Sequence, residues 1–139
     1  MAQATWTRTR YPHMMADEAR IWTRYLETTD LVFEKITYDL HLGAGVLPLP
    51  GDPEYMRRLL SAVTKKRVDA LGETKEDIWI FEVKPRISMS ALGQLVTYFE
   101  LYQEEYRPTK PLMLAAIGER EAPDIRAAFE LYAVNIILV

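Results

Sequence analysis

The segment Ile78-Trp79-Ile80-Phe81-Glu82-Val83-Lys84-Pro85 constrains this chain more than any other. Its run of β-branched and aromatic residues reads as a strand, and the proline stops it. Side chains alternate across a strand, so Trp79, Phe81 and Val83 form a wholly apolar face. Ile78, Ile80, Glu82 and Lys84 share the other face, which begins apolar and ends in two opposite charges. The charged pair sits at the C-terminal end of the strand, just where the chain must leave it.

Periodicity assigns the rest of the chain. Ala16 to Glu27 reads as a helix with Asp17 and Glu18 favourably placed in its first turn. Val32 to Leu42 alternates as a half-buried strand, the stretch from Gly43 to Pro53 is a loop rich in glycine and proline, and Glu54 to Val63 is a short helix. Arg67 to Leu71 and Ile78 to Lys84 are strands. A long helix over Ser88 to Tyr106 is followed by a strand at Leu112 to Ile117, a helix at Pro123 to Tyr132, and a final strand at Val134 to Val139 whose apolar composition suits burial on both faces. The early strands favour an antiparallel meander and the later ones crossover connections. The expected fold class is α/β, a mixed sheet flanked by helices. Residues 1–15 read as a flexible arm and residues 16–139 as one domain.

Composition narrows the chemistry. A chain of 139 residues has room for one core. It contains no cysteine, which excludes thiolate chemistry, and only two histidines, His13 and His41, which leave little for histidine-rich metal centres. No apolar run reaches the roughly 18 residues of a membrane span, and no secretory signal is visible, so a cytoplasmic protein is expected, in the host cytoplasm if phage-encoded. The formal net charge of −3 argues against a surface that binds nucleic acid everywhere, but leaves room for a local basic groove. Catalysis, if present, must use carboxylates and lysine.

A turn centred on Lys75–Glu76 would set the strand before it in register with Ile78–Lys84. Asp69 would then face Glu82, Arg67 would face Lys84, and Leu71 would face Ile80. Two carboxylates in direct opposition repel, unless a cation lies between them. Hard oxygen ligands of that kind suit Mg²⁺, which retains waters and recruits phosphate oxygens. Such an ion polarises a phosphodiester and acidifies water, and a neighbouring ammonium orients the attacking water or neutralises developing charge. An E-x-K tripeptide alone is better explained by a solvated ion pair. The aspartate on the preceding strand is what makes the cation reading competitive.

The run Arg67-Val68-Asp69, twelve residues, then Glu82-Val83-Lys84 resembles the PD-(D/E)XK nuclease superfamily, the restriction-endonuclease-like fold. The resemblance spans roughly Ala16 to Val139. It implies that Asp69 and Glu82 bind Mg²⁺ or Mn²⁺, that the Val83 carbonyl completes the coordination shell, and that Lys84 orients the water. Gln94-Leu95-Val96-Thr97-Tyr98 is similar to the Q-x-x-x-Y element of the RecB-like and lambda-exonuclease-like branches. Helical spacing puts Leu95, Phe99, Tyr102 and Tyr106 in a core stripe, with Gln94 and Tyr98 together on its flank. There Gln94 would hydrogen-bond an active-site group or a nucleotide, and Tyr98 would pack beside it. Two departures stand: Val68 replaces the usual proline, and no G-x-x-x-H element precedes the core. Glu18 is the candidate for the first-helix acid that some branches use. Asp39 and His41 read as solvated surface residues.

Seven of the 17 positive charges, Arg57, Arg58, Lys65, Lys66, Arg67, Lys84 and Arg86, fall within 30 residues around this site. Lys65, Lys66, Arg67, Arg86 and Tyr98 are the candidate nucleic-acid contacts. The reading is a Mg²⁺- or Mn²⁺-dependent deoxyribonuclease, structure-specific or nonspecific, in a phage, mobile-element or repair context. The alternative is an inactive relative of the same fold that binds nucleic acid or serves as an assembly subunit. DNA is the expected partner, a homodimer the expected state, and a larger DNA-processing complex a further possibility; no membrane is involved.

Overall fold

The computed structural model describes residues 6–64 and 66–139, the side chains of 60–64 excepted. Along the chain run α1 (Ala16–Thr28), β1 (Lys35–Leu42), α2 (Glu54–Thr64), β2 (Lys66–Glu73), β3 (Ile78–Val83), β4 (Arg86–Ile87), α3 (Met89–Tyr106), β5 (Leu112–Gly118), β6 (Arg120–Glu121), α4 (Arg126–Leu131) and β7 (Val134–Leu138). The main sheet has the order β1-β2-β3-β5-β7. Strands β1, β2 and β3 form an antiparallel meander, while β5 and β7 join in parallel after helical crossovers. Strands β4 and β6 make a separate two-stranded parallel sheet. This is the mixed α/β architecture the periodicity called for. No described helix is long and apolar enough to cross a membrane.

The register of β2 on β3 is set at their turn. The Thr74 N–H donates to the Asp77 carbonyl at 2.9 Å and the Thr74 hydroxyl donates to Asp77 Oδ1 at 2.6 Å. Trp79 Nε1 donates to the same carboxylate oxygen at 3.0 Å. The ladder that follows pairs Glu73 with Ile78, Leu71 with Ile80 and Ala70 with Phe81. Its next step is Asp69 level with Glu82.

Each face of the sheet buries its own core. Helix α3 covers Ile78, Ile80 and Leu114 with Ala91, Leu95, Tyr98 and Tyr102. Helix α1 covers Phe81, Val83 and Ile117 with Trp22, Tyr25 and Leu26. The rings of Trp22, Tyr25 and Phe33 surround Phe81, with centroids 5.1, 5.3 and 5.9 Å away. Phe33 reaches this cluster only because β2 carries Gly72, where a Cβ would run into the Phe33 ring.

Alternation breaks near one end of β1 and β2. Tyr38 and Ala70 belong to the α1-side core, yet Leu40 and Val68, two residues along, belong to the α3-side core. Between them lie Asp39 and Asp69, level with each other in the ladder, and Asp39 is in the left-handed region at φ 52°. The side chains beyond this step have exchanged faces, which a strict period of two cannot foresee.

Several expectations are corrected. Residues 6–15, read as part of a flexible arm, pack against the domain: Tyr11 is 4% exposed, and its hydroxyl lies 2.7 Å from Thr23 Oγ1. The buried stripe of α3 is Ala91, Leu95, Tyr98 and Tyr102, whereas Tyr106 is half exposed, so the helix is rotated towards Tyr98. Helix α4 begins three residues later than the Pro123 expected because Asp124 adopts φ 63°, which interrupts the helical path. Strand β7 is an edge strand in which only Val134 is buried, while Ile136 packs in part against the α3-side core and Ile137 in part against the α1-side core.

Candidate active site

Strands β2 and β3 part where their acidic residues meet. Rather than continuing the ladder, the Val83 N–H donates to Asp69 Oδ2 at 2.8 Å. On the other side of β3, the Lys84 N–H donates to the Ile117 carbonyl at 2.9 Å, which anchors the strand end to β5. Gly118 lets this happen: a Cβ there would meet the Lys84 carbonyl and the Ile87 side chain. Backbone groups of a strand point alternately to either neighbour, so the Val83 carbonyl lies on the same β2-facing side as its N–H.

Glu82 is only 2% exposed, and Lys84 Nζ sits 3.5 Å from its Oε2. Burial, then the neighbouring Asp69 charge, holds the Glu82 carboxyl above the usual carboxylate range, with Lys84 opposing. Asp69 is also raised, chiefly by burial, against the pull of the Val83 hydrogen bond and Lys84. The two carboxyls interact directly and titrate as a unit, which keeps a proton at a pH where free carboxylates have lost theirs.

Three buried side-chain oxygens among the described residues lack a hydrogen-bond partner: Glu82 Oε1, Gln94 Oε1 and Asp39 Oδ1. All three are acceptors. Native interiors leave few such groups, because each costs about 1–3 kcal/mol. Gln94 and Tyr98 stand one turn apart on α3, over the carboxylate pair. Burial, then the charges of Glu82 and Asp69, pushes the Tyr98 hydroxyl well above its ordinary value, and the side chains of Gln94 and Glu82 interact with it. A buried pair of carboxylates retaining an unpartnered oxygen fits a hard divalent cation. No group of three or more His, Cys, Asp or Glu side chains among the described residues is arranged to hold a metal. The donors offered are therefore Asp69, Glu82 and backbone oxygen, with water to complete the shell.

Two solved structures share this architecture. One is a repair endonuclease from Pyrococcus abyssi, with a TM-score of 0.56 and 17% identity over 94% of this chain. The other is EndoMS in complex with double-stranded DNA, with a TM-score of 0.51 and 17% identity over 95% of this chain. The chain spans 48% of the length of each. At that identity the likeness concerns the fold. No protein-family profile and no curated protein matches the sequence.

The remaining candidates divide. Lys66 is exposed at the start of β2, and Arg86 is exposed on β4, opposite Arg120. Tyr98 is 4% exposed, too buried to present its ring to a base; it lies beneath the carboxylates instead. Glu18 contributes charge at both Asp69 and Glu82, but its Oε1 accepts the Met15 N–H at 3.0 Å and so caps α1. Arg67 does not face Lys84. The pairing of β2 with β3 ends at Ala70–Phe81, and Arg67 lies opposite His41 on β1, against Asp39 and His13. Asp39 and His41, read as solvated, are thus engaged with each other at 3.4 Å. Lys65 lies outside the described residues.

Proposed function

We propose that this chain is a Mg²⁺- or Mn²⁺-dependent nuclease hydrolysing DNA phosphodiester bonds. One observation carries the reading: Asp69 and Glu82 meet at the parted ends of β2 and β3, and Glu82 keeps a buried oxygen with no partner beside the Lys84 ammonium. The likeness in fold to a repair endonuclease and to EndoMS bound to double-stranded DNA supports it.

In this reading Asp69, Glu82 and the Val83 carbonyl hold the cation. When bound, the cation supplies Lewis-acid activation of the phosphate and lowers the pKa of its water. Lys84, 39% exposed at the rim, faces the substrate and orients the attacking water while balancing the charge of Glu82. The Val83 N–H fixes the Asp69 carboxylate beside Glu82. Gln94 and Tyr98 support the pair from α3, and the free Gln94 Oε1 is available to a water or a nucleotide. Lys66 and Arg86 extend the positive surface along the substrate. Cutting is structure-specific or nonspecific, in a phage, mobile-element or repair setting, and a homodimer presents two sites to one duplex.

The test is cleavage of supercoiled plasmid and of single-stranded DNA across a Mg²⁺ and Mn²⁺ titration. The wild type should cut with Mn²⁺ or Mg²⁺, and neither with Ca²⁺ nor with EDTA. Asp69→Asn should abolish cutting while leaving the melting temperature close to wild type or higher. Absence of cleavage under every condition, with the protein folded, would leave the inactive binding subunit as the better account.

A further inference from the structure

Beside the carboxylate pair lies a second polar cluster, which the hydrolytic chemistry does not use. It joins three segments distant in sequence: His13 before α1, Asp39 and His41 on β1, and Arg67 on β2. His13 Nε2 is 3.0 Å from Asp39 Oδ2, and His41 Nε2 is 3.4 Å from the same oxygen. Arg67 Nη1 lies 3.0 Å from His13 Nδ1, and Arg67 Nε lies 3.9 Å from Asp39 Oδ1. A guanidinium carries donors only, so His13 Nδ1 accepts; the imidazole proton is then on Nε2 and is donated to Asp39.

The burial is graded. Asp39 is 17% exposed, whereas His41, Arg67 and His13 are 33%, 39% and 56% exposed. The carboxylate thus lies behind three nitrogen-bearing side chains that reach solvent. Both His13 and Asp39 hold left-handed backbone, at φ 58° and 52°. Such conformations cost on the order of 1 kcal/mol or more for residues other than glycine and cluster at functional sites. The cluster is not a metal cage, since no three of these ligand types are suitably arranged among the described residues.

Position gives the cluster its meaning. Asp39 is level with Asp69 on the adjacent strand, and Arg67 precedes Asp69 by two residues. Neighbouring strands are about 4.8 Å apart, so the donors flank the proposed site of hydrolysis on its β1 side. A planar guanidinium with an imidazole alongside matches the geometry of a phosphodiester. On a chain of net charge −3, anion binding depends on local donors of this kind.

We infer that His41 and Arg67, oriented by Asp39 and His13, bind the nucleic-acid phosphate that flanks the one cleaved at Asp69–Glu82. The inference rests on the nuclease reading and names how that site holds its substrate. Asp39 and His13 are positioning residues; His41 and Arg67 touch the ligand.

The experiment is fluorescence anisotropy of a labelled DNA oligonucleotide in Ca²⁺ over a series of salt concentrations. It compares the wild type with His13→Ala, His41→Ala, Arg67→Ala, Asp39→Asn and Lys75→Ala, the last a control in the β2–β3 turn. Melting temperatures are recorded for each, and His41→Gln provides a second variant at that position. Arg67→Ala should weaken binding and lower the slope of log K against log salt by about 1. His13→Ala and His41→Ala should each weaken binding about five-fold. Lys75→Ala should match the wild type. Asp39→Asn is decisive: removal of a negative charge would tighten binding if only net charge mattered, whereas loss of orientation weakens it. Tighter binding by Asp39→Asn, or wild-type affinity in both histidine variants, overturns the inference while wild-type cleavage leaves the nuclease reading standing. If the wild type neither binds nor cuts DNA, both fall together.

Discussion

Glu82→Gln should stabilise the protein in the absence of divalent ions, although it alters one of the most buried polar residues. Glu82 is 2% exposed, faces Asp69, and has one oxygen without a partner. An unsatisfied buried polar group costs about 1–3 kcal/mol, more if charged. For a chain of 139 residues, 1 kcal/mol corresponds to about 3–4 °C in melting temperature. The expected gain is therefore about 3–12 °C at pH 8 in EDTA. Its pH dependence follows from the raised carboxyls. The unfolded chain loses these protons near pH 4, whereas the folded pair retains one to higher pH. The folded state then binds more protons than the unfolded state, so wild-type stability falls as pH rises from about 4 through the raised range of the pair. Below that window the advantage of Glu82→Gln should shrink. Mg²⁺ or Mn²⁺ should raise the wild-type melting temperature at pH 8 and leave the variant unmoved. Differential scanning calorimetry from pH 4.5 to 8.5 reads all of this. A variant less stable than wild type at pH 8 in EDTA, or a difference independent of pH, would refute the picture of a strained carboxylate pair.

Other outcomes follow from the same structure. Lys84→Ala should lower turnover by at least about 100-fold while divalent affinity, measured by calorimetry, persists, because an ammonium is no ligand. Phe81→Ala should cost about 3–5 kcal/mol, read by chemical denaturation, because Phe81 is fully buried among Trp22, Tyr25 and Phe33. Gly72→Ala should destabilise by about 1–3 kcal/mol as its Cβ meets the Phe33 ring, and Phe33→Leu in the same chain should recover part of the loss. Light scattering at micromolar concentration should give the mass of a dimer; strand β7, at the edge of the sheet order, is the place to probe with Ile136→Lys.

Much of this was legible in the sequence, for reasons particular residues make plain. The Ile78–Lys84 run and the turn at Lys75–Glu76 suffice to set Leu71 opposite Ile80, and from there a period of two carries Asp69 to the level of Glu82. The spacing of Gln94 and Tyr98 likewise puts both on one side of α3. What was not legible depends on departures from period or on contacts between remote segments. Asp39 is an aspartate in a left-handed conformation within a strand, and no local pattern announces it. Because the faces exchange there, Arg67 turns from Lys84 to His41, and Asp39 passes from solvent to a hub for two histidines. His13 joins the hub only because Tyr11 is buried against β1 and α1, a tertiary contact that a polar N-terminal segment does not signal. The two-residue strands β4 and β6 are too short for periodicity to register.

The most direct test of the central claim is a calorimetric titration of Mn²⁺ into the metal-free protein, with and without a short DNA duplex, for the wild type and for Glu82→Gln. The account predicts one divalent ion per chain in the wild type, tightened by DNA, and no measurable binding in a variant whose circular dichroism shows it folded. Absence of binding by the wild type with DNA present, or equal binding by Glu82→Gln, would contradict it.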